Sequence, residues 1–182
     1  MVWISPNTQT DKFEMDELFW FIKKKERTQT KENTYVILLI STNPRQIVGY
    51  NIGQKRNAKI MQGIVNNAIE AESYATDGNF TYKNVVFLGV HIQNDENKKD
   101  THNVESINGD LRTYIPGLAR RSRCFYRSIE MLDAVMSVFV DAYNKYGEAK
   151  SKRQIPVRHK PGNEHKHLHK YRDVPFSLLD FL

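Results

Sequence analysis

The chain has 182 residues, enough for one domain with a sizeable core, and 40% of them are hydrophobic, as in ordinary globular proteins. A single cysteine excludes a disulfide scaffold and indicates a reducing compartment, and no apolar run approaches the roughly 20 residues of a membrane-spanning helix. The net charge of +6 favours a polyanionic partner, because basic groups that neutralise phosphates release counterions. We therefore predict a cytoplasmic protein with no membrane partner.

Strands are expected where β-branched and aromatic residues cluster, and helices where apolar residues recur every three or four positions. In chain order, the predicted strands are Phe13–Ile22, Thr34–Thr42, Gln46–Ile52, Tyr74–Thr76 and Val85–Ile92, the last of them buried. The predicted helices run from Gln54 to about Ala71, from Thr101 or Asn103 towards Pro116, and from Ser128 to Tyr146. This order predicts an α/β fold in which helices flank a mixed sheet.

Basic residues concentrate in two parts of the chain. Between Lys145 and Arg172, nine Lys or Arg stand against two acidic residues. A second cluster, with no acidic residue between its ends, comprises Arg112, Arg120, Arg121, Arg123 and Arg127. Such clusters suit contact with DNA phosphates, and they suit a solvated surface equally well. We divide the chain into an N-terminal segment (1–12), a folded domain (13–147) and a basic tail with an apolar end (148–182).

Three acidic residues occupy settings that suit chemistry on a phosphodiester. Asp16 and Asp77 are expected at strand ends, and Glu105 is expected on a helix. Mg²⁺ prefers carboxylate oxygen, and two ions about 3.5–4 Å apart stabilise both oxygens of an in-line displacement. Three clustered carboxylates would repel one another and raise at least one pKa. Taken singly, each residue is more typical of an ordinary strand position, a tight turn or a solvated helix face.

Four stretches of the chain resemble the DDE transposases of the insertion sequence 1 type, over about Phe13 to Tyr146. These stretches are Asp16–Phe21, Thr76–Gly78 with Tyr82, Val104–Arg112, and Ser128–Asp133. The resemblance implies a ribonuclease-H-like fold and a DNA transposase that uses two Mg²⁺ or Mn²⁺ ions. It further implies a bacterial-type cytoplasmic protein that works at the nucleoid.

The resemblance also implies roles for individual residues. Asp16, Asp77 and Glu105 fall on the catalytic triad that binds metal in this family. Arg112 falls on a basic position that contacts the transposon end, and its spacing places it on one helix face with Glu105 and Asn108. The full set of expected DNA-binding residues is Asn108, Arg112, Arg120, Arg121 and Arg123. The implied partners are the inverted repeats of the element, target DNA and further copies of the chain.

The family's N-terminal DNA-binding region would have to precede Asp16, where fifteen residues lie. We therefore expect the catalytic half of a transposase, truncated or completed by frameshifting from an upstream reading frame. Two alternatives remain open at this point. In the first alternative, the chain is an inactive remnant that only binds DNA. In the second, it is a metal nuclease of the same fold that does not transfer strands.

Overall fold

The structure, a computed structural model, describes residues 2–4, 10–22, 32–94, 100–119 and 126–151. The strands within these ranges are β1 (Val2–Ile4), β2 (Lys12–Ile22), β3 (Glu32–Thr42), β4 (Arg45–Gly53), β5 (Ser73–Asp77) and β6 (Val90–Asn94). The helices are α1 (Ala58–Asn67), α2 (His102–Tyr114) and α3 (Ile129–Ser151), with short 3₁₀ turns at Phe80–Asn84 and Pro116–Leu118. None of the helices in these ranges is long and apolar enough to cross a membrane.

The six strands form one mixed sheet in the order β1-β4-β3-β2-β5-β6. The pairings of β1 with β4, β4 with β3, and β3 with β2 are antiparallel, whereas β5 runs parallel to β2 and β6 runs parallel to β5. The chain passes from β4 to β5 through α1, as a connection between parallel strands requires. This topology confirms the predicted α/β fold of the ribonuclease-H-like type.

Helices cover both faces of the sheet, so the central strands carry apolar residues on both sides. The core beneath α2 and α3 includes Leu18, Leu38, Leu111, Met136 and Phe139. The core beneath α1 includes Phe13, Met15, Leu39, Met61 and Ile64. Successive strand residues point to opposite faces, so even-numbered side chains of β2 face α2 and α3 and odd-numbered ones face α1. This alternation decides where each functional side chain of β2 points.

The predicted buried strand Val85–Ile92 is wrong in both position and burial. The strand in this region is β6, Val90–Asn94, and the preceding Val86 and Leu88 are 67% and 66% exposed. Phe87, between them, packs against the core beneath α1. Because β6 is an edge strand, the segment leading into it lacks a second covered face, and Val86 and Leu88 remain at the surface.

The other predicted elements are confirmed, with shifted ends. The helix expected from Gln54 to about Ala71 begins at Ala58, because the Asn57 side chain accepts a backbone N–H of its first turn. It ends at Asn67, after which the backbone is extended. Strand β1 is an addition that the sequence pattern does not predict, and it pairs with the outer edge of β4.

Candidate active site

The site lies where β2 extends beyond its parallel neighbour β5. β5 pairs with β2 from Lys12 to Met15 and ends at Asp77, while β2 continues to Ile22. Parallel strands advance together, so Asp77 comes level with Asp16, the next residue of β2. The expectation of a strand end is confirmed for Asp77. It is wrong for Asp16, which lies within β2 at the point where pairing with β5 stops.

Two hydrogen bonds hold the Asp16 carboxylate. Oδ1 accepts the backbone N–H of Glu17 at 2.8 Å, and Oδ2 accepts Nδ2 of Asn108, on α2, at 2.8 Å. Burial, followed by the charges of Asp77 and Glu105, raises the pKa of Asp16 to about 6, although both hydrogen bonds oppose the shift. The prediction that clustered carboxylates raise at least one pKa is confirmed, with burial as the larger cause.

Asp77 is held by the turn that follows β5. Its Oδ1 accepts the backbone N–H of Asn79 at 3.0 Å, as in an Asx turn. The side chain of Gln93, on β6, donates from Nε2 to the carbonyl oxygens of Asp77 and Asn79, at 3.2 and 3.1 Å. The turn is therefore anchored to the neighbouring strand, which keeps the Asp77 carboxylate beside Asp16.

Glu17 is a further carboxylate of the site, and it was not among the predicted site residues. Asp16, Glu17 and Asp77 each offer an oxygen within 4.8 Å of the others, close enough to share a cation. Oε1 of Glu17 accepts Nδ2 of Asn79 at 3.4 Å, and burial, followed by the charges of Asp77 and Asp16, raises the pKa of Glu17 to about 7. In the sequence, the one sign of this role was that Glu17 follows Asp16 directly. Strand alternation places the side chains of such neighbours on opposite faces of the sheet, so it did not predict that they share a site.

A buried tyrosine lies beside Glu17 on the α1 face. Tyr82 has no exposed surface, and its hydroxyl lies beside the Glu17 carboxyl, whose pKa it lowers. Burial, followed by the charge of Glu17, raises the pKa of Tyr82 well above its ordinary value. The phenol therefore stays protonated, and its hydroxyl can donate towards the carboxylates.

α2 approaches Asp16 from the face opposite Glu17. Glu105 lies in the first turn of α2 and is exposed, and its charge contributes to the raised pKa of Asp16. It is not part of the group of carboxylates within 4.8 Å of one another. Asn108, one helical turn further, is buried and bound to Asp16. The structure thus brings Asp16 and Asp77 together and places Glu105 nearby, at a greater separation.

A buried glutamate fastens α2 to β2. Glu14 is 1% exposed; its Oε1 accepts Nδ2 of Asn103 at 2.7 Å, and its Oε2 accepts the backbone N–H of Val104 at 2.9 Å. Thr101, the N-cap residue and one of the two predicted starting points of this helix, makes no side-chain capping bond. The carboxylate therefore caps the positive end of the helix from the neighbouring strand. The only sign of this role in the sequence was that Glu14 is an acidic residue in a strand rich in apolar residues.

The other predicted DNA-binding residues are only partly described. Arg112 lies in the last turn of α2, two turns after Glu105, as the spacing predicts. Arg120, Arg121 and Arg123 lie outside the described residues, and the predicted tail 148–182 is described only as far as residue 151. DNA contact by any of these residues stays a prediction.

The donors at this site fit a divalent cation of the Mg²⁺ or Mn²⁺ type. The carboxylates supply only oxygen, which hard cations prefer. Burial, followed by the neighbouring carboxylates, raises the pKa values of Asp16 and Glu17, and a bound cation would stabilise their ionised forms. Oδ1 of Asn108 is buried and has no hydrogen-bond partner in the described ranges, which leaves an acceptor for a metal-bound water.

Comparison with known proteins bears on the whole of this region. No curated protein matches the chain. A family model described as IS1 transposase matches residues 12–146, which run from the first residue of β2 into α3. The match covers well over half of the 182 residues and includes every carboxylate described above. The chain therefore belongs to the IS1 transposase family.

Proposed function

We propose that this chain is the catalytic domain of a DDE transposase, which cleaves DNA at the ends of an insertion element and joins those ends to target DNA. The observation that carries the proposal is the meeting of Asp16 and Asp77 on adjacent parallel strands, with the charge of Glu105 acting on Asp16 from α2. Membership of the IS1 transposase family supports it.

Asp16, Asp77 and Glu105 are the residues that would hold two Mg²⁺ or Mn²⁺ ions. Such ions, when bound, activate the attacking oxygen and stabilise the leaving oxygen at a phosphodiester. Asp16 would be held between the other two ligands in charge, because the charges of both Asp77 and Glu105 act on it. Asn108 keeps the Asp16 carboxylate in a fixed orientation through its hydrogen bond to Oδ2.

The proposed reaction has two steps of the same kind. In cleavage, a water oxygen bonds to phosphorus, the 3′-oxygen leaves, and a proton lost by water is balanced by one gained at the 3′-oxygen. In joining, the new 3′-hydroxyl attacks a target phosphodiester and loses its proton, while the target's own 3′-oxygen leaves and gains one. Both are in-line displacements, so the same carboxylates serve both.

The partners and place of action follow from this reaction. Arg112, with Arg120, Arg121 and Arg123, would position DNA through phosphate contacts. A homo-oligomer would hold the two inverted repeats and the target together. The protein would act in the cytoplasm, on the DNA of the nucleoid.

The test is Mn²⁺-dependent nicking of a plasmid that carries the element's inverted repeats. We compare the wild type with Asp16→Asn, Asp77→Asn and Glu105→Gln. The matched control is Asp141→Asn, because Asp141 is exposed on α3 and pairs with Lys145 at 2.7 Å, away from the site. We expect the wild type and the control to nick, and the three site variants to lose at least about a hundredfold in rate, the usual scale for a removed electrostatic group.

Other outcomes separate the alternatives. Nicking retained by Asp77→Asn would overturn the assignment of the triad. A wild type that binds DNA and never nicks it would favour the inactive remnant. Nicking without any joined product, even on inverted repeats, would favour a plain nuclease of this fold.

A further inference from the structure

Two large aromatic side chains are exposed next to the carboxylates. Phe19 is 51% exposed and Phe80 is 71% exposed. Phe19 follows Glu17 by two residues on β2, so both side chains project from the same face of the sheet. Phe80 follows Asn79, whose side chain donates to Glu17. Both rings therefore border the site on its α1 side.

A cation lies over Phe80, and another lies over the ring that contacts Phe19. The Lys83 ammonium lies 5.5 Å from the centroid of Phe80. The ring of Phe19 lies 5.5 Å from that of its cross-strand partner Tyr35, and the Arg56 guanidinium lies 5.5 Å from the Tyr35 centroid. The positive charge of Arg56 acts on the site. It lowers the pKa of Glu17, although burial raises that pKa by more.

The surrounding surface is basic as well. The segment 54–69, which joins β4 to α1 and contains the helix, carries Lys55, Arg56 and Lys59 and no acidic residue. The 3₁₀ turn that carries Phe80 and Lys83 packs beside α1. We call the surface formed by Phe19, Phe80, Tyr35, Arg56 and Lys83 the aromatic–basic surface.

Exposed aromatic rings next to basic side chains indicate one kind of ligand. Exposed rings beside cations suit a ligand with flat faces and repeated negative charge, and a nucleic acid strand has both. The bases of a paired duplex are stacked on one another and hide their faces, whereas unpaired bases offer them. An apolar protein partner would have to desolvate Arg56 and Lys83, which is costly without paired charges.

On the basis of the proposed function, we propose that the aromatic–basic surface binds the unpaired 3′-terminal nucleotides of the DNA strand whose backbone lies at the carboxylates. Their bases stack on Phe80 and Phe19, and their phosphates lie near Lys83 and Arg56. The strand end is thereby separated from its complement and led to the site.

The test measures binding without cleavage. Fluorescence anisotropy, in EDTA or Ca²⁺, compares a duplex that has a short unpaired 3′ end with a blunt duplex of the same sequence. A 2-aminopurine in the unpaired end reports stacking through loss of its fluorescence. The variants are Phe80→Ala, Phe19→Ala and the rescue variant Phe80→Trp. The control is Leu88→Ala, because Leu88 is 66% exposed and lies before β6, at the end of that strand away from Asp77.

We expect each alanine variant to weaken binding of the unpaired end about tenfold, the scale of one stacked base, with no change for the blunt duplex. Phe80→Trp should restore both affinity and quenching, and Leu88→Ala should change neither. Equal weakening for both duplexes, or none for either, would overturn the proposal. This binding test needs no cleavage, so a wild type that quenches 2-aminopurine and never nicks plasmid DNA would contradict the catalytic assignment and leave this proposal standing.

Discussion

Asp16 and Glu17 are consecutive residues of β2, so their side chains leave the sheet on opposite faces. Asp16 is bound by Asn108 on the α2 side, and Glu17 is bound by Asn79 on the α1 side. Asp77 ends its strand at the same level and lies close to both. The carboxylates therefore lie around the carboxyl end of β5, on both faces of the sheet, and burial makes two of them costly to ionise.

We expect the stability of the metal-free protein to fall as pH rises through these two pKa values. The pKa is about 6 for Asp16 and about 7 for Glu17, above their ordinary 3.8 and 4.5, so folding takes up protons. The resulting stabilisation is complete below about pH 4 and is lost as pH rises to about 7. Mn²⁺ neutralises the ionised forms, so it should raise the melting temperature more at about pH 8 than at about pH 5.

Thermal unfolding with Mn²⁺ or EDTA at the two pH values checks this expectation. The double variant Asp16→Asn with Glu17→Gln removes both titrating groups and should lose most of the pH dependence. Asp141→Asn should keep it, because that carboxylate is exposed on α3. A wild-type Mn²⁺ effect of the same size at both pH values would contradict the link between these carboxyls and the metal.

At the scale of elements, Glu14 joins the strand that carries Asp16 to the helix that carries Glu105. Glu14→Gln keeps the size of the side chain and removes the charge that two donors face. We expect the free energy of unfolding to fall by about 1.5–3 kcal/mol, the value for hydrogen bonds to charged groups. Urea unfolding measures this loss, and the exposed Glu72→Gln should stay within about 0.5 kcal/mol of the wild type. A Glu14 variant as stable as the control would show that α2 docks without this bond.

α3 packs on β4 through apolar side chains, and one polar side chain of α3 also bonds the backbone of β4. Asn144 accepts the N–H of Ile47 through Oδ1 at 2.8 Å and donates from Nδ2 to the Ile47 carbonyl at 2.9 Å. Pairing of β1 with β4 begins only at Gly49, so the helix amide completes the edge of β4 at Ile47. Gly147 allows this close approach, because a Cβ there would lie 2.1 Å from the carbonyl oxygen of Arg45.

Gly147→Ala should therefore destabilise the protein, although alanine favours helix over glycine by about 1 kcal/mol. The clash is with backbone, so α3 must shift, and we expect a loss of about 1–3 kcal/mol. Gly63→Ala in α1 is the matched control, because its Cβ would meet nothing within 4 Å. It should stabilise the protein by about 0.5–1 kcal/mol in the same urea titration. Stabilisation by both substitutions would contradict the close approach.

At the scale of the whole molecule, one sheet separates two cores, and the site lies at the carboxyl end of β5, between those cores. The α1 core supports Glu17 through Tyr82 and the turn after β5, and the α2–α3 core supports Asp16 through Asn108. Loss of either helix layer would thus leave one face of the carboxylate cluster exposed. Both layers are needed to hold the side chains at the separations observed.

Much of this arrangement could be predicted from the sequence, because its causes are local. The run Thr34–Thr42 is apolar and β-branched enough to be buried on both faces, and it lies within β3. The stripe of Leu132, Met136, Phe139 and Val140 predicted α3 and faces the core. The order of Asp16, Asp77 and Glu105 placed two carboxylates on strands and one on a helix, as the structure has them.

Glu14 and Glu17 could not be assigned in this way, because their partners are remote in the chain. Strand alternation fixes the face on which each side chain lies, and it does not reveal what covers that face. Glu14 meets the first turn of α2, about ninety residues later, and Glu17 meets the turn after β5. Local patterns in the sequence were enough to predict most of the strands and helices, their order and the family, although they missed β1 and misplaced β6. Which carboxylates meet depends on where β5 ends and how α2 docks, and these contacts between remote segments exist only in the folded chain.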